Sequence, residues 1–162
     1  MSKVKIKFDE NQEYQIKAVN AVVDLFDGLS RTDDDLSFES ISSADVVSNT
    51  DEVLEEYWLA ENLAQIQRRN GIEIQSELNS PNTGDTLTGE FDFYSYPEFT
   101  INMETGTGKT YVYLRTIYSL REKYGFRKFI VVVPSVAIYE GAIATFKATW
   151  AHFHKLFSQG TV

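Results

Sequence analysis

Met103-Glu104-Thr105-Gly106-Thr107-Gly108-Lys109-Thr110 sits between an extended aromatic run, Phe91 to Ile101, and a helical pattern that starts near Lys109. A strand, a glycine-containing turn and a helix opening on Lys-Thr make up the architecture of a phosphate-binding loop. Gly106 and Gly108 carry no Cβ, so the backbone can turn tightly and aim successive N–H groups at anionic oxygens. The helix N-terminus adds its partial positive charge at the same spot. Lys109 is the type of side chain that reaches β- and γ-phosphates, and the Thr110 hydroxyl is a ligand type for Mg²⁺. The strict pattern asks for glycine five residues before Gly108, where this chain has Met103. The competing reading is a glycine-rich turn that happens to carry Lys-Thr. Glycine, lysine and threonine in the right order at the right junction favour a nucleotide site.

Working outward, Pro97 interrupts the aromatic run, which places a buried strand at Phe99 to Met103 and leaves 91–96 as an edge or an approach. After the loop, Val112, Leu114, Ile117 and Leu120 keep helical spacing until Tyr124-Gly125. Phe129-Ile130-Val131-Val132-Val133 is a continuous, mostly β-branched run of the kind found in parallel strands buried on both faces. Pro134-Ser135 ends it, and another helix is predicted from about Val136 to Phe157. The order β-loop-α-β-α predicts an α/β nucleotide-binding domain with a parallel sheet.

Toward the N-terminus, residues 3–8 alternate charged and apolar, as in a short strand or extended arm. Asp9 or Asn11 could cap the next helix, where Ile16, Val19, Val22, Val23 and Phe26 recur at helical spacing before Gly28. Tyr14 and Gln15 stand on its first turn. Residues 29–50 are rich in Ser, Asp and Thr and read as a linker, with Asp33-Asp34-Asp35 as solvated charge. A second helix is predicted from about Thr50, as N-cap, to Arg69, stopped by Asn70-Gly71. Ile72 to Leu78 reads as a short strand, and Ser80 to Gly89 as a surface loop. Three regions follow: an arm and helix at 1–28, an acidic insertion at 29–98, and the phosphate-loop core at 99–162.

The 162 residues suit about one domain, and 43% apolar content suffices for an ordinary core. With no cysteine, disulfides, thiolate metal sites and cysteine nucleophiles are excluded. No apolar run resembles a signal peptide or a membrane span, so a cytoplasmic protein is expected. The net charge of −9 is unevenly placed. Residues 27–98 hold 17 acidic residues against Arg31, Arg68 and Arg69, a net of −14, which leaves +5 around the loop. The acidity therefore does not exclude a nucleic-acid partner.

Three segments together resemble the start of a superfamily 2 (DEAD/DEAH-type) helicase motor, most closely the Res subunits of type III restriction enzymes. They are Met103 to Thr110 running on through Tyr111-Val112-Tyr113-Leu114-Arg115-Thr116-Ile117; Lys128 to Ile138 with Glu140-Gly141 behind; and Tyr14-Gln15 with Ala18-Val19, which is similar to the glutamine motif of these motors. Asn62-Leu63 with Gln67 and Asn70-Gly71-Ile72 also resembles an insertion carried by that family. The resemblance implies a partial RecA-like P-loop NTPase domain, the first motor lobe, with an incomplete parallel sheet and flanking helices. It implies ATP and Mg²⁺ as cofactors, with Gln15 on the adenine edge, Thr105 to Thr110 around the phosphates, Lys109 in the catalytic role and Thr110 on the metal. Pro134 and Ser135 would touch the backbone of double-stranded DNA without reading its sequence. The methyltransferase (Mod) subunit of the same system is the implied protein partner. Phe8 or Tyr14 could stack on the adenine.

No Asp-Glu pair at a strand end follows Val133, and neither an arginine-finger motif nor a nuclease motif is present. The chain therefore reads as an N-terminal fragment with negligible ATPase of its own. In such motors later strands separate the loop strand from the next one. Ile130 to Val133 is thus expected to keep open backbone groups and an apolar face, leading to self-association, a rearranged sheet or partial disorder. A complete sheet within one copy would count against the helicase reading. The alternative is a truncated or degenerate nucleotide-binding or protein-interaction module without catalysis. His152 and His154 do not make a metal pair, since i, i+2 spacing on a helix turns them about 200° apart; they read as solvated. Asp51-Glu52 and Glu55-Glu56 read as favourable first-turn charge.

Overall fold

The computed structural model describes residues 9–31, 49, 54–75, 78, 82–83, 94–95 and 97–157. Its elements run α1 (Glu13–Val23), a 3-10 turn (Asp24–Phe26), α2 (Glu56–Asn70), β1 (Asn82–Thr83), β2 (Tyr94–Ser95), α3 (Lys109–Tyr124) and α4 (Val136–Phe157). The predicted arm at 3–8 with Phe8, the linker at 32–48 and the Thr50 cap lie outside the described residues.

The α/β expectation is overturned. Phe99–Met103 and Phe129–Val133 take no regular secondary structure, and the one recorded sheet among the described residues is the two-residue antiparallel pair β1–β2, with Asn82 opposite Ser95. The described residues are mainly helical, and the expected parallel RecA-like sheet is not formed among them. The reason is one of pairing. A strand exists only by sharing backbone hydrogen bonds with a neighbour, and among the described residues no ladder includes either run. Ile130 and Val132 are 91% and 87% exposed, which agrees with the open apolar face expected for Ile130 to Val133. Ile72–Gln75 likewise forms no strand; its Ile72 and Gln75 amides are taken by the carbonyl and the side-chain oxygen of Gln67.

What holds the chain together is helix packing. On α1, Val19 and Val23 stand one turn apart and share a face. They meet Val112, Leu120 and Tyr124 of α3, and Leu29 and Phe126 close the same cluster. The Tyr124 hydroxyl donates to the Val23 carbonyl at 3.0 Å, so the end of α3 is tied to the end of α1. Phe26 sits edge-on to Phe126, with ring centroids 5.2 Å apart. Trp58 and Leu54 cover this core from the start of the α2 region.

α2 is fixed by a polar residue. Asn62, buried, donates its amide to the carbonyls of Leu25 (2.9 Å) and Asp27 (3.0 Å), satisfying the end of the 3-10 turn. Arg69 adds an ion pair with Asp24 at 2.8 Å. α2 begins at Glu56 rather than near Thr50, and Gly71 ends it in the left-handed conformation.

α4 lies on α3 through one aromatic stack. Phe153, fully buried, packs its ring between Tyr111 (5.1 Å) and Tyr118 (5.0 Å). Tyr118 also stacks on Phe157. The N-terminal half of α4 is largely exposed, including Val136, Ile138 and Tyr139. Among the described residues no helix is long and apolar enough to cross a membrane.

Candidate phosphate-binding site

The loop between Met103 and Lys109 is organised around one carbonyl. The Glu104 oxygen accepts the Thr107 hydroxyl at 2.7 Å, the Lys109 ammonium at 2.9 Å and, at 3.5 Å, the Thr107 amide. The chain thus curls back on Glu104 and enters α3 at Lys109. Gly106 and Gly108 hold φ of +85° and +87° there, a region that L side chains avoid. Gly108 is the residue preceding α3, and its carbonyl accepts the Val112 amide at 3.0 Å as the first helical bond.

The loop is braced from α1. Gln15 is buried, and its Nε2 donates to the Thr107 carbonyl at 2.9 Å. A second contact from Nε2 reaches the Tyr14 hydroxyl at 3.4 Å. A Cβ placed on Gly108 would stand 2.6 Å from Gln15 Nε2, so glycine is needed there for the approach as well as for its φ. Gly106 is different: nothing lies within 4 Å of where its Cβ would be. The cradle is therefore closed by α1 on one side and open on the other.

These residues fit an anionic group. The open side at Gly106, the cationic Lys109 and the N-terminus of α3 have the chemistry of a phosphate acceptor. No acidic residue stands in the first turn of α3 to oppose it. The structure brings Gln15, Thr105, Gly106, Thr107, Gly108, Lys109 and Thr110 into one loop region. Gln15 enters it as a support, with its amide turned onto the loop backbone. Tyr14 is about half exposed beside it.

Pro134 and Ser135 stand immediately before α4. The Ser135 hydroxyl receives the Ile138 amide at 3.4 Å and its carbonyl receives the Tyr139 amide at 3.0 Å, which makes it the cap of that helix. Among the described residues no hydrogen bond links Ser135 to the loop. His152 is not simply solvated: its Nε2 lies 2.8 Å from the Tyr111 hydroxyl, next to the start of α3. Burial holds the His152 pKa below its usual value and raises that of Tyr111.

Two participants escaped sequence reasoning. The Glu104 carbonyl is a backbone group, and its gathering of donors depends on φ and ψ that no side chain announces. Asn49 lay in the linker without periodicity; its side chain accepts the Arg127 and Lys128 amides and donates to the Lys128 carbonyl at 2.8 Å, fixing the chain just before Phe129. An asparagine that can pair with backbone on both sides was the only signal available.

Comparison with known proteins places this geometry in context. Residues 9–160 match the family model described as type III restriction enzyme, res subunit. The EcoPI Res subunit of Escherichia phage P1 is 31% identical over 87% of this chain. The EcoP15I Res subunit of Escherichia coli is 28% identical over 86% of it. The StyLTI Res subunit of Salmonella typhimurium reaches 54% identity over a shorter stretch, 36% of the chain. The chain spans about 13% of the length of the EcoPI and EcoP15I subunits.

Proposed function

The chain belongs to the type III restriction enzyme Res-subunit family, and from that premise we propose that it is the ATP-binding N-terminal part of such a subunit. The observation that carries the proposal is the loop at the head of α3: two glycines at positive φ, Lys109 drawn across the turn, and an open side at Gly106. Bound Mg–ATP would supply the phosphate charge that this cradle is shaped to receive. The backbone N–H groups of Thr105 to Thr110 and the Lys109 ammonium hold the phosphates, and the Thr110 hydroxyl is the metal ligand. Gln15 keeps the Thr107 carbonyl in place while the adenine edge is read from the same end of α1. Lys109, now on the Glu104 carbonyl at 2.9 Å, would hold phosphate oxygens of a bound nucleotide as charged acceptors in place of a neutral one.

The intact parent, on this reading, is a cytoplasmic helicase-like ATPase that couples ATP hydrolysis to movement along double-stranded DNA and to endonucleolytic cleavage with its Mod methyltransferase partner. Pro134 and Ser135 belong to its DNA path. The 162 residues alone do not hydrolyse ATP at a useful rate, because positioning the attacking water and stabilising the spreading charge need groups beyond this set.

The test is equilibrium binding of a fluorescent ATP analogue with Mg²⁺ to this chain and to Lys109→Ala. Binding that weakens about tenfold or more in the variant supports the reading, since a charge-assisted contact to phosphate is worth roughly 1.5–3 kcal/mol. Equal binding by both proteins, or by neither, would remove it.

A further inference from the structure

The joint between α3 and α4 holds a hydrogen bond that the phosphate site does not use. Beside the buried Phe153 ring, which sits between Tyr111 and Tyr118, the Tyr111 hydroxyl meets His152 Nε2 at 2.8 Å. The direction of that bond follows from a third side chain. Arg115 stands one helical turn on from Tyr111, on the same face of α3. It hydrogen-bonds the Tyr111 side chain, while its Nη1 donates to the Glu10 carbonyl at 2.6 Å. A guanidinium only donates. The Tyr111 oxygen therefore accepts from Arg115, and its own proton is the one aimed at His152. Nε2 can accept it only while the imidazole is neutral and carries its proton on Nδ1.

We propose that Tyr111 and His152 form a pH-sensitive clasp, which holds the C-terminal half of α4 on α3 while the imidazole is neutral and loosens it when Nε2 takes up a proton. Protonation turns the Nε2 acceptor into a donor. Two cationic donors, His152 and Arg115, would then converge on one hydroxyl oxygen, whose own proton must turn away. The surroundings favour the neutral ring. Burial is the largest influence and holds the His152 pKa below its usual value. Arg115 from α3 and Lys155 on α4 act in the same direction, against the Glu10 carboxylate from the segment before α1. With the folded-state pKa below the unfolded value near 6.5, the clasp is closed at neutral pH and opens as pH falls through the lower folded value. His154, two residues on, stands on another side of α4, with its ring centroid 6.1 Å from that of Trp150. This inference does not rest on nucleotide binding.

The test is NMR of the 162-residue chain as a function of pH. The chain's 2 histidines are titrated through their Cε1–H signals, told apart with His154→Gln. Amide-exchange protection is compared in parallel between residues 149–157 of α4 and the α1–α3 core. His152 should titrate below the usual histidine value. As pH is lowered through that point, protection of 149–157 relative to the core should fall by about tenfold for each unit by which the His152 pKa is displaced. His152→Gln should remove this pH dependence, since glutamine stays neutral. Tyr111→Phe keeps the ring that packs on Phe153, deletes the hydroxyl, and should flatten the dependence as well. His154→Gln should behave as wild type. Protection of 149–157 that falls no faster than that of the core, a pH dependence that survives in His152→Gln or in Tyr111→Phe, or one that disappears in His154→Gln each overturns the proposal.

Discussion

Gly108→Ala tests the brace between α1 and the phosphate loop. Two costs add at this position. Alanine at a φ of +87° is held in the left-handed region, which costs about 1–2 kcal/mol. Its Cβ would also stand 2.6 Å from Gln15 Nε2, well inside contact distance. The amide is the far end of a flexible side chain, so it yields, and the bond to the Thr107 carbonyl is lost with it. A partly buried hydrogen bond is worth about 1 kcal/mol. The total expected loss is about 2–3 kcal/mol. Gly106→Ala is the built-in control: its φ is +85°, but no atom lies within 4 Å of the new Cβ, so it carries only the backbone cost. Urea unfolding of both variants should therefore differ by about 1 kcal/mol. Repeating both in a Gln15→Ala background should remove that difference, because the clash and the bond vanish together. Equal destabilisation by the two glycine variants in the wild-type background would refute the reasoning.

Three further outcomes follow from the packing. Phe153→Ala should cost about 3–5 kcal/mol and free α4 from α3, seen as a loss of near-UV circular dichroism, since its fully buried ring is the centre of the α3–α4 stack. Asn62→Ala should cost roughly 1–3 kcal/mol in urea unfolding, because the Leu25 and Asp27 carbonyls lose their donor. The His152 pKa is lowered by burial, so the folded chain binds this proton less readily than the unfolded one. Its contribution to stability is complete above the unfolded value near 6.5 and is lost as pH falls through the lower folded value. Thermal melts of wild type should therefore fall more steeply below neutral pH than those of His152→Gln; parallel curves would show that the Tyr111–His152 contact is not linked to folding.

The helices were legible because each carried a local signal. Periodic Val19, Val23, Leu114 and Leu120 gave α1 and α3 their faces, and Gly71 and Gly125 marked the ends of α2 and α3. The strands were not, because a strand is a statement about a neighbour. Phe129–Val133 has the composition of a buried parallel strand, yet Ile130 and Val132 stand in water. Composition records what a segment is suited to, and only another segment decides whether it pairs. The same distinction explains Gln15. Its position on the first turn of α1 was readable, but the direction of its amide depends on where Thr107 comes to lie, ninety-two residues away.

The loop reaches its shape without the sheet that was expected to present it, and the reason is where its constraints originate. The turn is set by φ at Gly106 and Gly108 and by donors that converge on Glu104 from within five residues. The helix that follows is nucleated by the Gly108 carbonyl and held by Val112, Leu120 and Tyr124 against α1. From α1, Gln15 returns to the loop backbone. Met103, at the loop's upstream end, packs on the same core. Every one of these contacts is local or passes through the α1–α3 pair, and none passes through strand pairing. Phosphate affinity should accordingly track the integrity of the α1–α3 core: a core variant such as Val112→Ala, which deletes a buried methyl pair facing α1, should weaken nucleotide-analogue binding in step with its loss of stability, whereas Ile130→Lys/Val132→Lys should leave binding unchanged. Loss of binding in the strand variant with the core intact would show that the loop depends on strand pairing after all.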